Sequence, residues 1–214
     1  MTAAATYLLR VRLPDRPGAL GELATVLGGI GADIESIVVV DREGGFAVDD
    51  LLVGLPPATL ADRLVSAAAS VDGVAVESVQ RHLGRMRVYD ELALLDAAAS
   101  SPAPLSVVVA GLPELLNASY AFVVGRGEPV ASAAAPPRPD RSDWLPLTAA
   151  RAVDATEFWD DPTFAGPDSV LAAAPLPPAA AVVLGRIGGP AFRPAELMRL
   201  AHLASLAAVA TARQ

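Results

Sequence analysis

The sequence predicts an α+β protein built from two domains, and three observations support this. Along the first 82 residues, segments of alternating apolar residues and segments of helical spacing follow one another in the order βαββαβ. A second series of predicted helices and strands follows from residue 86. The chain has 214 residues, 53% of them apolar, which is enough for two hydrophobic cores.

The first strand and helix have the clearest patterns. Leu9, Val11 and Leu13 alternate with arginines, which is typical of a strand with one buried face, and we place this strand at residues 7–13. Apolar residues at helical spacing predict a helix over residues 20–30, ended by a group of glycines.

The rest of the first domain is a hairpin, a second helix and a last strand. β-Branched residues predict the hairpin, whose strands are joined by a glycine turn. The predicted segments are strands at 33–41 and 46–53, a helix at 60–68 and a strand at 74–80. With right-handed crossovers, this order produces a ferredoxin-like fold, a four-stranded antiparallel sheet with two helices on one face.

The elbow between the first strand and helix, Asp15-Arg16-Pro17-Gly18-Ala19-Leu20, has the strongest functional signal. We predict that Asp15 or Arg16 caps the helix, that Pro17 lies in its first turn, and that Gly18 lets a ligand reach unpaired backbone amides. Such amides bind anions, for example the carboxylate of an amino acid. The alternative is an ordinary Pro-Gly turn that leads into a helix.

Residues 7–82 resemble an ACT domain, a small regulatory module that binds amino acids. The resemblance is carried by DRPGAL after the first strand, GADIESI at the start of the second and VDGV before the last. It implies ligand contacts from the elbow and from the start of the second strand, usually at an interface between two domains. The residues at these positions are Leu13, Asp15, Pro17, Gly18, Ala19, Leu20, Asp33 and Ile34.

Serine-regulated ACT domains carry a His and two Asn where this chain has Leu13, Asp15 and Asp33. Two carboxylates in place of two amides repel the carboxylate of a ligand and attract its ammonium group. The usual binding pose therefore cannot be transferred intact. The alternative is that Asp15 only caps the helix and Asp33 only begins the strand.

The second domain, residues 86–214, begins with helices and ends with two strands and a long helix. We predict helices at 86–99 and 105–117, a hairpin of strands at 119–124 and 129–135, a loop at 136–146, and strands at 169–174 and 180–186. From residue 169 on, the order of strand, turn, strand, Gly-Gly, Phe-x-Pro-x-Glu-Leu and Ala/Leu helix resembles a GAF domain. The resemblance implies an antiparallel sheet flanked by helices.

Two groups of apolar residues in this half predict packing. Tyr120, Phe122, Trp144, Phe158 and Trp159 are expected to form a core rather than line a cavity. The closing helix has a broad apolar face, which we expect to pack on the helix at 86–99, within the chain or across a dimer.

Composition excludes several function classes. The chain has no Cys and no Lys, which excludes thiol nucleophiles, Schiff-base lysines, disulfides and Cys-ligated zinc. Its net charge of -8 argues against nucleic acid as a partner. His82 and His202 have no evident catalytic partner in the sequence, so we expect structural roles for them. Asp49 and Asp50 point to opposite faces of a strand, and we expect both to be solvated.

The N-terminal sequence has no pattern typical of a signal peptide, and the closing helix is too short and too weakly apolar to span a bilayer. We therefore expect a cytoplasmic protein without a membrane partner. Residues 1–6 are predicted to be a flexible tail. No cofactor or metal site is expected.

These patterns favour a non-catalytic regulatory protein. In this hypothesis, an ACT-like ligand-binding domain at residues 7–82 binds an amino acid or a similar small metabolite at the interface of a homodimer. The GAF-like domain then acts as a coupled sensor or dimerisation domain for a client protein that the sequence does not identify. The alternative is that both domains lack pockets and serve in protein interaction or dimerisation. An enzyme is not expected, because no nucleophile is paired with a base.

Overall fold

The structure is a computed structural model that describes residues 5–57, 59–82, 90–125 and 130–212. The chain divides into two compact units, Met1–Met86 and Arg87–Gln214. The predicted domain boundary at residues 83–86 lies outside the described residues, as does the predicted helical stretch 86–89.

The first unit contains all six elements predicted for it. They are β1 (Ala5–Pro14), α1 (Ala19–Gly29), β2 (Asp33–Glu43), β3 (Phe46–Leu55), α2 (Asp62–Ala69) and β4 (Ala75–His82). The strands form one sheet in the order β2-β3-β1-β4, and every neighbouring pair is antiparallel. The predicted ferredoxin-like arrangement is therefore confirmed.

The core of this unit lies between the sheet and its helices. Leu9, Val11 and Leu13 face the helices and are at most 2% exposed, as their alternation with arginines predicts. Apolar residues of both helices pack on them, namely Leu23, Leu27, Leu64 and Ala68. Ala5 and Thr6 already pair with β3, so the prediction of a flexible tail is wrong for these two residues. Residues 1–4 lie outside the described part of the chain.

The second unit is an antiparallel sheet with helices on one face. Its elements are α3 (Asp90–Ala99), α4 (Pro104–Leu115), β5 (Tyr120–Gly125), β6 (Arg151–Val153), β7 (Ser169–Leu176), β8 (Ala180–Ile187) and α5 (Pro194–Ala212). The strand order is β5-β8-β7-β6. Two short 3-10 helices, Ala155–Glu157 and Pro162–Ala165, lie between β6 and β7.

The prediction of a strand at 129–135 is wrong for its described part. There, one isolated bridge joins Ala131 to Phe122. The edge position beside β7 is filled by β6, for which the sequence predicts no strand. β6 is three residues long, so alternation along the chain gives almost no signal for it.

Both faces of the second sheet are covered. Residues of α3, α4 and α5 form one apolar cluster with β7 and β8 on the helix side. Tyr120, Phe122, Phe158 and Trp159 pack on the opposite side and are at most 4% exposed, with Trp144 partly buried beside them. The prediction that these aromatic residues form a core is confirmed.

The closing helix α5 packs on α3 within the chain, as predicted. Ala98 of α3 belongs to the same apolar cluster as Leu200 and Leu203 of α5, and Arg199 forms an ion pair with Glu91. In the described parts of the chain, no helix has the length and apolar content needed to cross a membrane.

Candidate functional site

The elbow between β1 and α1 is ordered by backbone geometry rather than by a side-chain cap. The N-cap of α1 is Gly18, whose φ of 91° lies in the left-handed region that favours glycine. The prediction that Asp15 or Arg16 caps the helix is therefore wrong, and Pro17 precedes the first turn instead of lying in it. A Cβ on Gly18 would come no closer than 4.0 Å to Arg16 Nη1, so glycine is needed for its conformation rather than for a close approach.

Asp15 and Arg16 are both exposed, and their contacts differ from the prediction. The backbone N–H of Asp15 donates to the carbonyl of Gly45 at 2.9 Å, which joins the elbow to the β2–β3 turn. The Arg16 guanidinium donates to both oxygens of Glu22 at 3.0 and 2.9 Å. These hydrogen bonds hold the pKa of the Glu22 carboxyl below its ordinary value.

The predicted site residues of the elbow divide by burial. Leu13 and Ala19 are each 2% exposed and belong to the apolar core, whereas Leu20 is half-buried against it. Asp15, Pro17 and Gly18 are exposed. A ligand at this elbow would therefore contact the exposed residues of the turn. Leu13 and Ala19 lie in the core beneath the turn.

The other predicted site residues, Asp33 and Ile34, lie at the opposite end of the same sheet. Asp33 pairs with Gly54, and Gly54 pairs in turn with Thr6 near the start of β1. Leu13, beside the elbow, pairs with Ala47. At about 3.3 Å per residue, the stretch of β1 from Thr6 to Leu13 spans about 23 Å. The structure does not bring the two groups together within one chain.

A buried ion pair lies in the middle of this sheet, and no local pattern in the sequence indicates it. Arg10 Nε and Nη2 donate to Asp50 Oδ1 and Oδ2 at 2.7 and 2.8 Å, and both side chains are 2% exposed. The expectation that Asp50 is solvated is wrong. Alternation placed Arg10 and Asp50 on strands, but only the register of β1 against β3 puts them opposite each other.

The neighbouring Asp49 is also buried, at 3% exposed, so its predicted solvation is wrong as well. It pairs across the sheet with Val11 and Val39, and Val11 belongs to the core beneath the helices. Among the described residues, Asp49 Oδ1 has no hydrogen-bond partner. Burial raises the pKa of the Asp49 carboxyl above its ordinary value.

The histidines show no catalytic arrangement in the described residues. His82 ends β4, and its Nε2 atom is buried without a hydrogen-bond partner there. His202 is exposed on α5. The described residues contain no group of three or more His, Cys, Asp or Glu side chains placed to hold a metal ion.

The Phe-x-Pro-x-Glu-Leu motif of the second unit has a structural role. Arg186 lies on β8, and its Cζ atom is 4.1 Å from the ring centroid of Phe192. Its Nη2 atom donates to Glu196 Oε1 at 2.8 Å. Its guanidinium also donates to the carbonyls of Leu116, Asn117 and Pro190. The motif therefore joins the closing helix to the sheet through a buried cation, which sequence reasoning did not identify.

The topology defines the class of the chain: an α+β protein whose first unit has the ferredoxin-like arrangement. Neither the comparison with protein-family models nor the comparison with curated proteins finds a match.

The chain is similar to several solved structures. An uncharacterized protein from Thermotoga maritima is 22% identical, with a TM-score of 0.29 over 36% of this chain and 94% of that one. A protein assigned as a glycine cleavage system transcriptional repressor is 10% identical, with a TM-score of 0.32 over 97% of this chain and 92% of that one. A formyltetrahydrofolate deformylase from Pseudomonas putida is 10% identical, with a TM-score of 0.33 over 97% of this chain and 92% of that one. At these scores the similarities carry no argument about function.

Proposed function

We propose that the protein is a non-catalytic regulator whose first unit is an ACT-like domain that binds a small molecule between two copies of the chain. An amino acid is the first candidate ligand. The observation that carries the proposal is the placement of the elbow and the start of β2 at opposite ends of one sheet. A ligand that contacts both groups has to lie between two chains, because about 23 Å of β1 separates them within one chain.

The edge strand β2 offers a way to bring the two groups together. It is the outer strand of its sheet, and Ile37, Val38 and Val39 are 39%, 38% and 46% exposed. Unpaired edge strands readily accept another strand. If two copies of β2 pair antiparallel, Asp33 of one chain comes to the level of Glu43 in the other. Glu43 lies at the elbow end of the sheet, because it pairs with Phe46 and Phe46 pairs with Pro14.

For the second unit we propose a GAF-like domain that couples ligand binding to dimerisation or to a client protein. Support comes from its antiparallel sheet with helices α3, α4 and α5 on one face. Its aromatic cluster fills the other face, which favours a coupling role over a second binding site. A ligand acts as a switch here only through its different affinity for two arrangements of the chains.

A second candidate function is an interaction or dimerisation module without a ligand. The burial of Leu13 and Ala19 favours this candidate, because two of the eight predicted contact residues lie in the core. The exposed acids Asp15 and Asp33 would then be ordinary surface residues.

A thermal-shift panel of the twenty amino acids on the full chain tests the first function. A ligand at a hundred times its dissociation constant adds about 2.7 kcal/mol to the stability of the unit that binds it. We expect one or a few amino acids to raise the melting temperature, and Asp15→Ala and Asp33→Ala each to abolish the shift. Asp62→Ala, an exposed acid in the first turn of α2, is the matched control.

Mixing the two inactive variants tests the shared site directly. In a mixed dimer, one of the two sites receives its elbow and its β2 residue from the unmutated copies. Binding should therefore return when Asp15→Ala and Asp33→Ala chains are unfolded and refolded together. No shift with any amino acid would favour the interaction module, and binding that does not return on mixing would contradict a site between two chains.

A further inference from the structure

Arg16 is the one basic residue of the elbow, and the turn fixes its backbone. Its N–H donates to the carbonyl of Pro14 at 2.9 Å, and its carbonyl accepts a hydrogen bond from the N–H of Ala19 at 3.3 Å. Its side chain lies alongside the turn, because Nη1 is 4.0 Å from the position of a Cβ on Gly18. The guanidinium is therefore held at the elbow, and 49% of the side chain remains exposed.

The guanidinium of Arg16 is only partly occupied by hydrogen bonds. Arginine carries several N–H donors in one plane, on Nε, Nη1 and Nη2. Glu22 accepts from Nη1 at 3.0 Å and from Nη2 at 2.9 Å, which is a contact with the end of the group. The Nε–H and the second N–H of Nη2 form another edge, and within the described part of the chain this edge has no acceptor.

The Nε–Nη2 edge of an arginine already holds a carboxylate elsewhere in this sheet. Arg10 donates through Nε and Nη2 to the two oxygens of Asp50, at 2.7 and 2.8 Å. Such a planar pair of donors matches the two oxygens of a carboxylate. Arg10 is buried and its partner belongs to the chain, whereas Arg16 presents the same two donors at a half-exposed position. A carboxylate from a bound molecule can therefore reach Arg16.

We propose that Arg16 binds the α-carboxylate of the ligand through its Nε–Nη2 edge, with Glu22 as the positioning residue that holds the other end of the guanidinium. This inference rests on the proposed function and narrows its ligand class to free α-amino acids. The exposed acid Asp15 precedes Arg16 in the chain and attracts an ammonium group. Two adjacent residues of opposite charge thus suit the two charged groups of an amino acid.

Calorimetric titration of the full chain with matched pairs of probes tests this role. The probes are the twenty amino acids and their α-carboxamides. A carboxamide keeps the ammonium group and the side chain of the amino acid and replaces only the charged carboxylate. We expect each amino acid that binds to do so about 10-fold to 100-fold more tightly than its carboxamide, since hydrogen bonds between charged groups are lost.

Two substitutions of Arg16 locate this preference in its guanidinium. Arg16→Gln should weaken amino acid binding by about 10-fold to 100-fold and make acid and carboxamide bind alike. Arg16→Lys keeps the charge without the planar pair of donors, so it should weaken binding as well. The melting temperature of the free protein should stay close to that of wild type, because the side chain is half-exposed. Arg63→Gln, at an exposed position of α2, is the matched control and should leave binding unchanged.

Glu22→Ala tests the positioning role. The guanidinium remains but loses the contact that orients it, so binding should weaken less than in Arg16→Gln. The preference for the acid over the carboxamide should persist, because the group that recognises the carboxylate is still present. A Glu22→Ala variant that binds both probes equally would show that the preference does not come from Arg16.

The remaining outcomes separate this inference from the proposed function. If amino acids bind wild type and Arg16→Gln equally well, if Arg16→Lys binds like wild type, or if carboxamides bind as tightly as the acids, the role of Arg16 is overturned and the proposed function stands. If none of the twenty amino acids binds the wild-type chain, the proposed function fails and the role of Arg16 fails with it.

Discussion

Arg186 Nη2 lies 2.8 Å from Glu196 Oε1, and the two side chains are 2% and 7% exposed. Glu196 also accepts a hydrogen bond at 2.9 Å from the backbone N–H of Arg193 at the start of α5. The pair therefore joins β8 to the first turn of the closing helix, and it does so in a region closed to water.

Glu196→Ala should destabilise the second unit by about 3–5 kcal/mol, because it leaves the buried charge of Arg186 without its counter-ion. Trp144 and Trp159 are the two tryptophans of the chain, so tryptophan fluorescence in urea follows the second unit alone. Glu91→Ala removes the partly exposed ion pair with Arg199 and should cost less than about 1 kcal/mol. Equal effects of the two substitutions would contradict this account.

Two glycines near the elbow should respond to alanine in opposite directions. Gly21 lies inside α1, and no atom lies within 4 Å of the position of an added Cβ. Gly21→Ala should therefore stabilise the first unit by about 0.5–1 kcal/mol. Gly18 has a φ of 91°, so Gly18→Ala should destabilise the unit by about 1–2 kcal/mol. Thermal unfolding followed by far-UV circular dichroism measures both, and a stabilising Gly18→Ala would show that the elbow has another conformation.

The ring of Tyr120 packs directly on Gly185 in the facing strand. A Cβ on Gly185 would overlap Tyr120 Cζ, and Tyr120 is 1% exposed and has little room to move. Gly185→Ala should destabilise the second unit by about 1–3 kcal/mol or more. Urea unfolding followed by tryptophan fluorescence tests this, and a neutral Gly185→Ala would contradict the close packing.

Tyr120 should titrate well above an ordinary tyrosine. Burial raises its pKa to about 12, and its hydroxyl donates to the carbonyl of Ala165 at 2.8 Å. Because the folded state keeps this proton longer than the unfolded state, the stabilisation is complete below about pH 10 and is lost as the pH rises toward about 12. The difference in ultraviolet absorbance between wild type and Tyr120→Phe, followed as the pH is raised, measures the titration. A midpoint near the ordinary tyrosine pKa would show that Tyr120 is accessible to water.

The Arg151–Glu157 pair should give the opposite dependence on pH. Hydrogen bonds from Arg151 at 3.0 and 2.5 Å hold the pKa of the Glu157 carboxyl below its ordinary value. This stabilisation is present above the ordinary glutamate pKa of about 4.3 and is lost as the pH falls through the lower pKa of the folded state. Fluorescence-monitored unfolding from neutral to acidic pH should show less loss for Glu157→Gln than for wild type. An identical loss in both would rule out a contribution from this pair.

Much of the fold could be predicted because its signals are local. Leu9, Val11 and Leu13 alternate along β1, and this pattern identifies both the strand and its buried face. The cap of α1 was predicted wrongly because an aspartate before a helix usually caps it, whereas here the turn at Gly18 places Asp15 too early. The short strand β6 was missed because its partner in β7 lies far along the chain and three residues give no period.

The candidate site could be predicted only in part. DRPGAL correctly indicated a turn between a strand and a helix, and GADIESI correctly indicated the start of β2. That the two lie at opposite ends of one sheet follows from pairing Thr6 with Gly54 and Gly54 with Asp33, which no local pattern contains. The burial of Asp49 was missed for the same reason.

The sequence by itself determined the order of elements in the first unit, the apolar face of β1, and the absence of thiol and lysine chemistry. These properties depend on residue type and on spacing along the chain. The tertiary structure decided which side chains meet, namely Arg10 with Asp50 and Arg186 with Glu196. It also buried Asp49 Oδ1 without a hydrogen-bond partner in the described residues. Strand register and helix packing set these contacts, and both depend on residues distant in sequence that come together only when the chain folds.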